Sequence, residues 1–110
     1  MKVRLLKPHK LHEKLTKGED LIVLDVRKIE EFTEGRIEGS ILLPHEEISE
    51  KIEAILTDKG AFIVAHCRGG VRSEVAVKAM QTLGYSEVYS LEGGIEAWKK
   101  AALPTVFPKK

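Results

Sequence analysis

The segment Ala65–Ser73, AHCRGGVRS, sets the only cysteine of the chain between a short apolar run and a helical run, in a glycine-rich turn with two arginines. A sulfur at such a junction faces successive backbone N–H groups and the positive end of a helix, and Arg68 and Arg72 add fixed positive charge. All three favour the thiolate, which is the nucleophilic form. Cys67 is therefore the candidate nucleophile. Free cysteine is also a common small core residue, but core packing requires neither Gly69 and Gly70, which let backbone approach a ligand closely, nor two arginines where cations oppose the helix dipole. This placement points to an anion held by Arg68, Gly69, Gly70, Val71, Arg72 and Ser73.

Loop length narrows the choice of anion. Cysteine phosphatases wrap a phosphoryl group with HCxxxxxR, whereas the string here is HCxxxxR followed by Ser73, one residue shorter. One residue is up to ~3.3 to 3.6 Å of contour, so the shorter loop suits something smaller than a tetrahedral phosphate, such as one sulfur atom carried on the cysteine.

The elements that position this loop alternate strand and helix. Apolar runs predict strands at Val3–Leu6, Leu21–Val26, Ile41–Leu43, Ala61–Ala65 and Glu87–Ser90. Between them, helices are expected over Pro8–Lys17, Lys28–Glu34, Glu46–Leu56, Val71–Leu83 and Ile95–Ala101. Gly84 should stop the fourth helix, with Val75, Ala76, Ala79, Met80 and Leu83 facing inward, while Lys59 and Gly60 should end the third. Ile48, Ile52, Ile55 and Leu56 form the apolar stripe of that third helix. Such alternation predicts one α/β domain over residues 1–110, a mostly parallel sheet with helices on both faces and a ligand site at the carboxyl ends of the strands.

With these residues in place, the chain resembles the rhodanese family of single-domain sulfurtransferases. LIVLDVRKIEEFTEGRIEGSILLP (Leu21–Pro44), HCRGGVRS and LGYSEVYSLEGGIEAWKKAALP (Leu83–Pro104) are similar to the family's N-terminal, active-site and closing segments, in that order. The six-residue loop matches the sulfurtransferase branch. The resemblance implies double displacement, in which Cys67 takes sulfane sulfur from thiosulfate or another persulfide-type donor and passes it to cyanide, a thiol or a sulfur-acceptor protein. It requires no metal or organic cofactor. Arg68 or Arg72 would hold the donor, and Gly93–Gly94 would turn close to the active-site loop. Asp25 and Arg27 are expected to form a structural pair or clamp near the site. Two departures stand out: Arg36–Ser40 lacks the proline usual in the family's turn, and Ala102 replaces a usual glycine before Leu-Pro.

The remaining polar residues carry weaker signals. His66 neighbours the nucleophile, but adjacent strand residues point to opposite faces, which favours a structural role. His9 and His12 with Glu13 are too few for a metal site, and no CxxC or HExxH spacing occurs. His45 and Glu46 fit a rim or helix cap, and Trp98 has core spacing with Ile95 and Leu103.

Composition excludes other classes. A net charge of +1 and 5% aromatic residues give no basic field for bulk nucleic-acid binding. No 18-residue apolar run or apolar leader is present, so a cytoplasmic location without membrane attachment is expected. The chain has no asparagine and a single glutamine beside abundant lysine and glutamate, a combination associated with thermophilic sources. A cysteine-loop phosphatase or arsenate reductase, a non-catalytic binding module and a sulfur carrier are the rival readings of the same loop.

Overall fold

The short apolar runs become the five strands of one parallel sheet in the computed structural model, which describes residues 2–107. In chain order the elements are β1 (Arg4–Leu6), α1 (Pro8–Thr16), β2 (Ile22–Asp25), α2 (Ile29–Thr33), β3 (Ile41–Leu42), a 3-10 turn at His45–Glu47, α3 (Ile48–Ile55), β4 (Ile63–His66), α4 (Val71–Thr82), β5 (Val88–Leu91) and α5 (Gly94–Lys100). The sheet order is β1-β5-β4-β2-β3, so β4 is central. Asp25 pairs with His66 across β2 and β4, and Ala65 pairs with Ser90 across β4 and β5. Cys67 follows β4 directly, at the carboxyl edge where an α/β sheet presents its ligand site.

A parallel sheet needs apolar residues on both faces, and the alternation along β2 and β4 supplies them. Leu24, Val26, Ile63, Ala65 and Cys67 point to one side, where Ile48 and Ile52 of α3 and Ala76, Val77 and Met80 of α4 cover them. Val23 and Val64 point to the other, against Leu11 of α1 and Ile95 and Trp98 of α5. No described helix is long and apolar enough to cross a membrane.

Two expectations about inward-facing residues need correction. Val75 is exposed and Val77 is buried in its place. The register of α4 is set by Ser73, which is buried beside the cysteine sulfur, and the positions that share its face are Ala76, Val77 and Met80. Ile55 is likewise exposed, and α3 ends there, because Leu56 turns to an extended conformation and buries its side chain instead. The helix expected from Glu46 begins as the 3-10 turn, with His45 N–H donating to Val26 O at 3.0 Å.

The two departures noted in the sequence resolve locally. Without a proline, Ile37–Ser40 still closes a turn, with Ser40 N–H donating to Ile37 O at 3.1 Å and Gly39 at φ +81° in the position that favours glycine. Ala102 adopts φ +59° and completes a Schellman cap on α5, where Leu103 N–H donates to Trp98 O and Ala102 N–H to Lys99 O. The left-handed conformation costs alanine ~1 to 2 kcal/mol.

Candidate active site

The turn after β4 folds backbone donors around the sulfur. Gly70, at φ +122°, directs its N–H at Cys67 Sγ from 3.0 Å, and Ser73 N–H points at it from 3.4 Å. The Ser73 hydroxyl lies 3.6 Å from Sγ, donates to Gly70 O at 3.0 Å and sits 2.7 Å from Ser90 Oγ. Ser90 thus braces the loop from β5, a contact no sequence spacing announced. Cys67 is 1% exposed, while Arg68, Gly69 and Val71 form the exposed rim above it. A cleft of about 200 Å³ borders this rim, lined in part by Gly69, Gly70, Val71, Ser90 and Gly93. The larger cavity, about 450 Å³ between α1 and α5, is lined by none of the loop residues.

The amino end of α5 supports the loop from behind. Ile95 N–H donates to Cys67 O at 2.9 Å and Glu96 N–H to Arg68 O at 3.1 Å. This approach requires glycine at position 94, since a Cβ there would stand 2.3 Å from Arg68 O and 2.7 Å from Cys67 O, at a φ of +63°. The Gly93–Gly94 turn therefore does adjoin the loop. Gly94→Ala is expected to push the loop carbonyls away and, if Cys67 takes up sulfur as the resemblance implies, to slow that uptake by about 100-fold, because a shift on the order of 1 Å is enough for that. Time-resolved intact-mass measurement checks this, and loading at the wild-type rate contradicts it.

The two loop arginines have different partners. Arg72 makes a forked ion pair with Glu31 of α2, at 2.7 and 2.9 Å. Glu31 also accepts the Lys28 N–H at 3.1 Å, which caps α2. Hydrogen bonding from Arg72 holds the Glu31 carboxyl at about 2, and Glu31 in turn raises Arg72. A depressed carboxylate contributes stability above its ordinary range and loses it as the pH falls towards 2, so the pair is intact at neutral pH. Arg68 is exposed and only loosely paired, with Nε 3.4 Å from Glu96 Oε2. The sequence offered both arginines equally as donor ligands, but Arg72 has its fork occupied. Glu31 escaped sequence reasoning because 41 positions separate it from Arg72 and no local spacing links them.

Asp25 and Arg27 form a buried pair below the loop. Arg27 Nη2 donates to Asp25 Oδ2 at 2.7 Å and to Gly35 O at 2.8 Å, and Arg27 Nε donates to Asp25 Oδ1 at 2.9 Å. His66 is completely buried beside them, its Nε2 3.6 Å from Asp25 Oδ2 and without a hydrogen bond, its Nδ1 3.4 Å from Cys67 O. Burial pushes His66 below its ordinary pKa; the Asp25 charge opposes this and the Arg27 charge adds to it. The ring meets the cysteine's carbonyl and not its sulfur, as strand alternation requires. Among the described residues no group of three or more His, Cys, Asp or Glu is placed to hold a metal.

The chain is similar to several known proteins. The chain is 34% identical over 99 residues to a sulfurtransferase of Allochromatium vinosum, covering 90% of this chain and 91% of that one. It is 33% identical over 104 residues to YtwF of Bacillus subtilis, provisionally named a sulfurtransferase, with 94% and 98% covered. A rhodanese-related protein of Thermoplasma volcanium superposes with a TM-score of 0.85 at 32% identity, over 96% of this chain and 99% of that one. The model of the rhodanese-like domain matches residues 7–101, and the chain belongs to that family.

Proposed function

We propose that the protein transfers sulfane sulfur through a persulfide on Cys67. The observation that carries this reading is the pair of N–H groups, from Gly70 and Ser73, aimed at a buried sulfur inside a six-residue loop. Preorganised donors of this kind stabilise charge on sulfur without reorganising during the reaction. In the first half-reaction the Cys67 thiolate attacks the outer sulfur of thiosulfate, a new S–S bond forms, the donor's S–S bond breaks and sulfite leaves with the bonding pair. A persulfide donor reacts in the same way and releases a thiolate. In the second, cyanide, a thiol or an acceptor protein attacks the outer sulfur and restores the Cys67 thiolate. The cycle is ping-pong and uses no metal or organic cofactor. A reducing cytoplasmic compartment suits a thiol that must remain free between turnovers.

The names of the relatives support the sulfurtransferase reading over a phosphatase. So does the short loop, whose inward N–H groups converge on the sulfur. The test is to incubate the reduced protein with thiosulfate or a small persulfide, remove the excess and weigh the intact chain. A gain of one sulfur atom, reversed by cyanide with release of thiocyanate, is expected. No gain with either donor overturns the proposal in favour of phosphatase or binding-module chemistry.

A further inference from the structure

The arginines around Cys67 all have carboxylate partners. Both arms of the Arg72 fork are held by Glu31. Arg68 faces Glu96, and Arg27 is buried against Asp25. Each arginine near the loop is thus matched by a carboxylate. The surface beside α2 adds to this, because the cleft of about 400 Å³ between α2 and the 3-10 turn presents Glu30, Glu46 and Glu47 against a single Lys28. Glu47 is itself paired with Lys51. An incoming dianion therefore meets a buried sulfur, an Arg72 already held by Glu31 and, at the rim, the loosely paired Arg68, with Glu30 and Glu46 on the surface beside α2.

We propose that Glu31 is a specificity-determining residue of the sulfur-loading step. By holding Arg72, it selects sulfane-sulfur donors that carry one negative charge over dianions such as thiosulfate. The proposal rests on persulfide chemistry at Cys67 and names the donor class that chemistry favours. Arg72 has two roles in this arrangement: its fork positions Glu31 across the loop, and its charge is spent on that carboxylate. Because the pair is half-buried, bidentate and reinforced by the Lys28 cap, a solvent-exposed donor must break two charge-assisted hydrogen bonds to reach the arginine. Arg68, exposed and weakly paired, is left as the cation that meets the donor.

The test compares thiosulfate with methanethiosulfonate, which replaces one charged oxygen with a methyl group and leaves the outer sulfur unchanged. Attack by Cys67 on methanethiosulfonate forms the same persulfide and releases methanesulfinate in place of sulfite. Loading rates are read by rapid quench and intact mass, for the wild type and Glu31→Gln. Glutamine retains an oxygen for Arg72 and for the Lys28 cap but removes the charge, so the thiosulfate to methanethiosulfonate rate ratio is expected to rise about tenfold. An unchanged ratio overturns the proposal while leaving sulfur transfer intact, whereas absence of loading by either donor in both proteins defeats the sulfur-transfer reading itself. Salt provides a second measurement that needs no variant. Wild-type thiosulfate loading should accelerate relative to methanethiosulfonate as salt screens like charges, and a relative slowing shows a net cationic pocket and overturns the proposal.

Discussion

Cys67→Ser is expected to abolish sulfur loading and cyanide-dependent thiocyanate release while leaving the fold in place. A serine hydroxyl is close in size and keeps an acceptor for the N–H groups of Gly70 and Ser73, which reach the native sulfur at 3.0 and 3.4 Å. It lacks the thiolate, however, and cannot form a persulfide. Loss of at least about 1,000-fold in turnover is expected, a size typical for removal of a nucleophile that acts with its oxyanion-type donors. Intact mass after donor treatment and steady-state thiocyanate formation provide the two readings, with thermal denaturation as the control on folding. Sulfur gained by the serine variant would locate the chemistry elsewhere. Loss of turnover together with loss of the folded state would leave the decision to the wild-type mass gain and its reversal by cyanide.

Arg27→Met should destabilise the protein by about 3 to 5 kcal/mol, because it leaves a buried carboxylate without its partner. Asp25 is wholly enclosed, and Arg27 provides its two-armed hydrogen bonding while also satisfying the Gly35 carbonyl. The loss is large beside a total of about 5 to 15 kcal/mol for a domain of this kind. The pH dependence of the deficit has a definite sign. In the wild type, burial and the Arg27 charge hold His66 below its ordinary range, and Asp25 opposes them. Removing Arg27 takes away one of the two influences that lower His66, so the stability that the wild type loses as the pH falls through the histidine range is lost to a smaller extent in the variant. Urea unfolding at about pH 6 and about pH 8 should therefore show a smaller deficit at the lower value. A deficit under about 1 kcal/mol at both would show that the pair contributes little beyond what methionine packing replaces. The double substitution Asp25→Leu with Arg27→Met is expected to recover much of the loss.

Much of the fold was legible because its signals are local. Apolar runs of strand length, glycine stops such as Gly84 and the alternation of strand with helix depend on neighbours within a few residues, and all five strands and five helices fall where these signals put them to within a few positions. The position of the candidate loop was legible for the same reason, since Cys67, the two glycines, the arginines and Ser73 all lie within seven consecutive residues. Helix faces were less secure. Val75 and Val77 are equally apolar by type, and Val77 is the one that shares the buried face of Ser73, Ala76 and Met80.

Residues adjacent in the chain and simple periodicity specify the candidate nucleophile, the length of its loop and the parallel α/β architecture. What surrounds the loop is settled by tertiary packing. Glu31 holds Arg72, Gly94 lets α5 meet the loop carbonyls and Ser90 braces Ser73 from the next strand. Those partners come from separate elements that the parallel crossovers bring to one edge of the sheet. Their pairing is fixed by packing and charge across space, and residue spacing along the chain does not encode it.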